Sequence, residues 1–318
     1  MATAEQIKRL VKAYSENNDD QFKTIVLQIA AHEAKLGHTK YARELKNLIL
    51  KKQAKAKVLS INNQNALALY SLPDNSMKNL VVSQEINDKL HRIIKEYKNR
   101  KKLYSYGLEN RRKILLEGPS GTGKTFTASI IASELNLPCY TVQVDKLVNK
   151  FMGETSVRLR QLFEQISDNT GVYLFDEFDA IGADRSFDNE VGEMRRILNS
   201  FLQFIEQDKS ESIIIAATNN QQLLDSALFR RFDDIIHYDL PNESEIEKLF
   251  EVQLSSYDYP LVITDKIIDS AKGLSHADIV KVCENALKTA ILNNDSLNED
   301  LIVSLLQERK STNTVKEA

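Results

Sequence analysis

The apolar residues in the middle of the chain stand in five short runs, separated by longer stretches that carry apolar residues at helical spacing. Runs that are apolar throughout, without alternation, are typical of strands buried on both faces of a sheet. Strands that alternate with helices predict an α/β fold, a parallel sheet with helices on both faces. The predicted strands are 113–117, 138–144, 172–176, 212–218 and 234–240.

Both ends of the chain carry apolar residues at helical spacing only, which predicts helices before and after the sheet. In the later helical part, Ser275 and Asp278 have the spacing of a capping box at a helix start. The predicted domains are a helical bundle (1–53), a linker rich in Lys, Asn and Ser (54–77), a large α/β domain (78–240), an all-helical domain (241–310) and a polar tail (311–318).

Composition narrows the protein class further. Of 318 residues, 42% are hydrophobic and 27% are charged, as in a water-soluble globular protein. The net charge of −3 gives no general reason to expect nucleic-acid binding. Cys139 and Cys283 lie far apart, which suits a reducing compartment. With no apolar core of a signal peptide and no long apolar run, we expect a cytoplasmic protein without a membrane span.

A glycine-rich segment follows the strand predicted at 113–117 and precedes a predicted helix, and it fits the pattern G-x-x-x-x-G-K-[ST]. Such glycines let backbone N–H groups curl around a phosphate, and the helix start adds its positive end. Lys124 is expected to bridge the β- and γ-phosphates of ATP, and Thr125 to offer its hydroxyl to Mg²⁺. The predicted nucleotide-binding residues are Gly118, Pro119, Ser120, Gly121, Thr122, Gly123, Lys124, Thr125 and Phe126.

Two acidic residues follow the strand predicted at 172–176, at the edge of the sheet where α/β folds bind ligands. Asp176 is expected to hold Mg²⁺, directly or through water. Glu177 can orient or deprotonate a water molecule that attacks the γ-phosphate. A base beside the metal ligand distinguishes hydrolases from small-molecule kinases, which attack with a hydroxyl of their substrate. The two motifs together predict an ATPase.

With these motifs in order, residues from about 78 to 290 resemble an AAA+ ATPase of the narrower AAA clade. That clade includes segregases of the valosin-containing-protein type, microtubule-severing enzymes and the ATPase modules of membrane proteases. The resemblance implies that Asn219 contacts the γ-phosphate or the attacking water. It also implies that Arg230 and Arg231 reach into the site of a neighbouring subunit in trans. This chain lacks the Pro and Gly that the family usually has between those arginines, so which one contacts the phosphate stays open.

The resemblance also places the adenine base. Gly273 and His276, at the start of a lid helix, and Val81 and Val82, ahead of the phosphate loop, are expected to border it. Where the family often has a histidine near the nucleotide, this chain has Gln253.

The stretch KFMGETS at 150–156 connects two predicted helices. Phe151 has helical spacing from Leu147 and Val148, so burial in the core is one interpretation. The stretch also matches the family's first pore loop, with lysine, an aromatic, a hydrophobic residue and glycine in order. That match implies that Phe151 and Met152 contact an extended polypeptide in a central channel. Residues 183–196 match a second, polar pore loop more weakly.

By resemblance the active form is a homo-oligomeric ring, usually a hexamer, that remodels or threads protein substrates with ATP. The N-terminal bundle would recruit a substrate or an adaptor. The sequence has neither HExxH nor a nucleophile elbow, so proteolysis would need a separate protease partner. Two alternatives stay open: a nucleotide-dependent scaffold or regulatory switch that threads nothing, and a nucleic-acid motor or loader, for which no basic groove is evident.

Overall fold

The computed structural model describes residues 67–147, 154–178, 190–219, 229–254, 261–293 and 296–317, together with Val26, Ile29 and Ala30. The chain divides into two compact units, residues 1–59 with 71–74, and residues 60–70 with 75–318. In the first unit, Val26, Ile29 and Ala30 are helical and buried. The rest of the bundle predicted for 1–53 lies outside the described residues, so the bundle stays a prediction.

Six strands form one sheet in the second part of the chain. They are β1 (Ala68–Ser71), β2 (Lys113–Glu117), β3 (Cys139–Val142), β4 (Val172–Phe175), β5 (Ile213–Thr218) and β6 (Asp234–His237). Their order across the sheet is β1-β3-β4-β5-β2-β6. The pairs β3–β4, β4–β5, β5–β2 and β2–β6 are parallel. The α/β fold and the five predicted strands are confirmed.

Helices precede, separate and follow these strands. Those that accompany the sheet are α1 (Gln84–Lys98), α2 (Arg100–Ser105), α3 (Lys124–Leu135), α4 (Val144–Leu147), α5 (Glu154–Asp168) and α6 (Glu190–Gln207). Those that follow β6 are α7 (Glu243–Leu254), α8 (Asp265–Ala271), α9 (His276–Asn293) and α10 (Glu299–Glu317). None of the helices in the described ranges is long and apolar enough to cross a membrane.

The sheet is buried on both faces, which explains its unbroken apolar runs. Successive side chains of a strand point to opposite faces. Ile114 and Leu116 of β2 therefore join the core beneath α1 and α3, whereas Leu115 joins the opposite core. That opposite core contains Phe163 of α5 and Phe201 of α6, whose ring centroids are 6.0 Å apart. A third core lies among α7 to α10.

The structure adds secondary structure to the predicted linker and to the predicted polar tail. Part of the predicted linker, residues 68–71, is the edge strand β1; it is short and partly exposed, so it carries no apolar run. The predicted polar tail is helical, because α10 continues to Glu317. A polar contact stabilises this last part of α10, since Asn313 donates a hydrogen bond to Asp278 of α9.

Candidate nucleotide site

The glycine-rich loop between β2 and α3 follows a tight path against its surroundings. Gly118 and Gly121 have φ values of 139° and 76°. A Cβ on Gly118 would lie 2.1 Å from the carbonyl oxygen of Tyr238, and one on Gly121 would lie 2.5 Å from Ser275 Oγ. Both the backbone conformation and the close contacts therefore require glycine at these two positions. Ser275 immediately precedes α9, so the loop contacts the later helical part of the chain directly.

The lysine of this loop points into the loop itself. Lys124, the first residue of α3, is buried, and its Nζ donates hydrogen bonds to the carbonyl oxygens of Gly118 at 2.7 Å and Pro119 at 2.8 Å. The hydroxyl of Thr122 also donates to the Pro119 carbonyl, at 2.8 Å. The loop thus surrounds a positive charge at a helix start, the arrangement that binds phosphate groups.

The two predicted magnesium ligands are in direct contact. Thr125 Oγ1 donates a hydrogen bond to Asp176 Oδ2 at 2.7 Å, although the residues are far apart in sequence. A hydroxyl and a carboxylate are hard oxygen ligands of the kind that Mg²⁺ prefers. In the described part of the chain no group of three or more His, Cys, Asp or Glu could hold a metal ion alone. Mg²⁺ usually binds one or two carboxylates plus substrate phosphates, so this pair fits Mg²⁺ that arrives with a nucleotide.

The predicted catalytic acid has an uncommon backbone conformation. Glu177 is exposed and has a φ of 49°, in the left-handed region. Its neighbour Phe178 is buried against Phe201, with ring centroids 4.6 Å apart. The chain therefore turns sharply after Asp176, whose Oδ1 accepts the Glu177 backbone N–H at 3.0 Å. A non-glycine residue in this region costs about 1 kcal/mol or more, and such residues cluster at functional sites.

A cavity of about 970 Å³ opens where β2, β4 and β5 end. Its lining falls into two groups, which we name the sheet side and the helical side. The sheet side consists of residues 120–126, Asp176, Glu177 and Asn219. The helical side consists of Lys78, Asn79, Leu80, Val81, Leu249, Val252, Gln253, His276, Ala277, Val280, Lys281 and Glu284.

The helical side combines an apolar wall with a buried histidine. Leu249 and Val252 of α7 and Val280 of α9 supply apolar surface that the sequence did not assign to the site. His276 is only 8% exposed, and neither ring nitrogen has a hydrogen-bond partner among the residues that the structure describes. Burial lowers the pKa of His276 to about 4; the nearby backbone of Val81 opposes this shift but is outside hydrogen-bonding geometry. The imidazole is therefore neutral at physiological pH.

Two of the predicted base contacts lie away from the cavity. Val82 packs against the core beneath α1 and α3, and Gly273 turns the chain before α9 with a φ of 83°. Neither lines the cavity, so the structure does not bring them together with the other predicted base contacts. Phe151 and Met152 lie outside the described residues, as do residues 183–189, the first half of the second pore loop predicted at 183–196.

The two predicted arginine fingers are exposed and do not line the cavity of their own chain. Arg231 forms an ion pair with Glu206 of α6. Arg230 makes neither a hydrogen bond nor an ion pair with the residues that the structure describes.

Comparison with known proteins identifies the family of this chain. Residues 114–240 match the model of the family described as ATPase family associated with various cellular activities (AAA). A protein of Sinorhizobium fredii, named only as an AAA family ATPase, is 33% identical over 303 residues, which cover 92% of this chain and 90% of that protein. The chain belongs to the AAA family. This AAA ATPase binds a nucleotide and hydrolyses ATP, and the cavity at the strand ends is the candidate site for the nucleotide.

Two longer relatives of this AAA ATPase have more specific names. A protein of Methanocaldococcus jannaschii, described as a 26S proteasome regulatory subunit homologue, is 33% identical over 217 residues, 67% of this chain and 58% of that protein. The ATP-dependent zinc metalloprotease FtsH of Parabacteroides distasonis is 33% identical over 264 residues, 76% of this chain and 38% of that protein. The chain thus spans less than two thirds of either relative.

Proposed function

We propose that this AAA ATPase works as a homo-oligomeric ring, most simply a cytoplasmic hexamer, that uses ATP hydrolysis to remodel or thread a protein substrate. The observation that carries the proposal is an incomplete site. The described lining of the cavity contains Lys124 and the acidic pair but no arginine. Phosphoryl-transfer sites of this kind gain much of their rate from an arginine that stabilises charge in the transition state. In this proposal a second copy of the chain supplies it.

Within one chain, the described residues have different roles in binding and hydrolysing ATP. Lys124 neutralises charge on the phosphates that the loop surrounds, and Thr125 with Asp176 would hold Mg²⁺. When bound, Mg²⁺ neutralises charge that develops between the β- and γ-phosphates. The Glu177 carboxylate orients the attacking water and accepts its proton. Asn219, at the end of β5, fixes the position of that water or of the γ-phosphate.

We assign the trans contact to Arg230. Arg231 is paired with Glu206 on its own chain, and an exposed pair of this kind contributes at most about 1 kcal/mol. That pairing is therefore weak, but it holds the Arg231 side chain against α6. Arg230, one residue earlier, has no such competitor in the described part of the chain. Among the described residues, therefore, Arg230 has no internal contact that must break before its exposed guanidinium binds a neighbour's phosphate.

A protein substrate is supported by the names of the two longer relatives, a proteasome regulatory subunit homologue and a protease. In this proposal Phe151 and Met152 contact the substrate chain, and residues 1–53 recruit it or an adaptor. Any proteolysis would fall to a separate protease partner.

The Glu177→Gln variant tests the ATPase and ring parts together. It keeps the side-chain shape but removes the base, so we expect ATP hydrolysis to fall at least about 100-fold while ATP still binds. Light scattering with ATP should give the mass of a closed oligomer, and substrates should co-purify with it. The native enzyme with ADP is the control. A monomer with ATP that retains no protein would contradict the ring.

The Phe151→Ala variant separates threading from the alternatives. A threading machine should keep its basal ATPase rate and lose the stimulation by an unfolded protein, for which casein is a suitable probe. A scaffold or switch would show no casein stimulation in the native protein either. Stimulation by single-stranded DNA or RNA in place of casein would favour a nucleic-acid motor.

A further inference from the structure

A buried acid at the start of α9 has more hydrogen-bond donors than a helix cap needs. Asp278 is 8% exposed and accepts hydrogen bonds from the backbone N–H of Ser275 at 3.1 Å and from its hydroxyl at 2.7 Å. The Asp278 N–H donates in return to Ser275 Oγ at 3.2 Å, which confirms the predicted capping box. Two further donors come from α10: Arg309 Nε at 2.7 Å and Asn313 Nδ2 at 3.2 Å.

The residues just before Asp278 are the ones that contact the nucleotide site. The backbone N–H of Ala277 donates to the carbonyl oxygen of Gly121 in the phosphate loop at 2.9 Å. Ser275 lies so close to Gly121 that no Cβ fits between them. His276 and Ala277 line the cavity. The first turn of α9 thus contacts the phosphate loop with one group of residues and α10 with the next.

We propose that Arg309 and Asn313 are positioning residues for the nucleotide site: by holding Asp278, α10 keeps the first turn of α9 against the phosphate loop and so sets nucleotide affinity. The inference rests on the ATP site of the chain and does not depend on the ring or on a protein substrate.

Because Asp278 is charged, its place in the fold depends on the donors Arg309 and Asn313. Burial on its own raises the pKa of Asp278, but the hydrogen bonds from Ser275 and Arg309 and the Arg309 charge lower it below its ordinary value. The carboxylate is therefore ionised at neutral pH and needs compensation where it lies. Without Arg309, the Asp278 carboxylate regains hydrogen-bond donors most easily by moving toward water. Residues 275–277 would then move with Asp278.

The fold allows this test, because α10 does not depend on these two contacts for its place. Ile302 and Leu306 of α10 are fully buried in the core that α7, α8 and α9 share. Loss of Arg309 should therefore leave α10 docked while releasing the start of α9.

The experiment compares Arg309→Ala, Arg309→Lys and Asn313→Ala in the full chain. The matched control is Gln307→Ala, an exposed position on the same helix. Binding of a fluorescent ADP analogue gives Kd, steady-state hydrolysis gives KM and kcat, and thermal unfolding gives Tm.

We expect Arg309→Ala to raise Kd and KM about 10-fold, with kcat at saturating ATP changed less than about 2-fold, because ground-state and transition-state binding weaken together. Arg309→Lys should restore most of the affinity, Asn313→Ala should have a smaller effect, and Gln307→Ala none. A fall in Tm with unchanged Kd would overturn the proposal, since α10 would then only stabilise the helical part. Loss of kcat with unchanged KM would also overturn it. Because ADP binding needs neither hydrolysis nor a partner, failure here is distinguishable from failure of the ring.

Discussion

The two sides of the nucleotide cavity are built in different ways. The sheet side comes from residues that closely follow strands, so each group is placed by a few neighbouring residues: 120–126 after β2, Asp176 and Glu177 after β4, and Asn219 after β5. The helical side is assembled from α7, α9 and the segment before α1, and α10 supports it from outside. In the described residues the sheet side lacks an arginine, whereas the helical side is held by hydrogen bonds and packing within the chain. The chemistry of hydrolysis is therefore expected to depend on a neighbour, and nucleotide affinity on the chain's own packing.

The largest loss of activity is expected when the arginine that a neighbouring chain supplies to the sheet side is removed. Arg230→Ala is expected to lower kcat about 1000-fold with little change in ADP affinity, because the lost charge acts mainly in the transition state. Arg231→Ala, the matched control, should lose much less activity. Steady-state hydrolysis and ADP binding measure both.

A mixing experiment then separates action in trans from action within one chain. Arg230→Ala subunits keep an intact phosphate loop, whereas Lys124→Ala subunits keep an intact Arg230. Mixed oligomers should regain activity that neither variant has alone. Absence of recovery, or a larger loss for Arg231→Ala than for Arg230→Ala, would refute the assignment.

The difference between the two sides also explains which features could be predicted from the sequence. The phosphate loop and the acidic pair were predictable because their chemistry needs particular residue types at fixed spacing after a strand. The capping box of Ser275 and Asp278 was predictable for the same local reason, and its hydrogen bonds confirm it. The sheet was predictable because central strands buried on both faces leave unbroken apolar runs.

Features that depend on distant contacts could not be predicted. The short edge strand β1 has only partly buried residues, so its segment resembled a linker. The end of α10 looked like a polar tail, because nothing local indicates that Asn313 contacts Asp278. The left-handed conformation of Glu177 has no signal in its residue type, because glutamate seldom adopts a positive φ. The apolar wall of α7 would be visible as a stripe, but not which part of the stripe faces a ligand.

A smaller effect is expected in the pH dependence of folding stability, and it tests whether the helical side of the cavity excludes water. The pKa of His276 is lowered by burial from 6.5 to about 4, so the folded chain keeps this ring neutral at pH values where the unfolded chain protonates it. Folding stability should therefore fall as pH falls from about 6.5 toward 4, by about 2 kcal/mol at pH 5 from this group alone. Asp278 does not account for a loss in that range, because its pKa is lowered below its ordinary 3.8.

Urea unfolding without nucleotide at pH 7.5 and pH 5 would measure this loss in the native protein and in His276→Gln. The variant should lose about 2 kcal/mol less between the two pH values than the native protein does. His91→Gln, which changes an exposed histidine on α1, should behave like the native protein. Equal losses in all three proteins would mean that His276 is hydrated in solution. The helical side would then be open to water in the way that the sheet side is, and the contrast between the two sides would not hold.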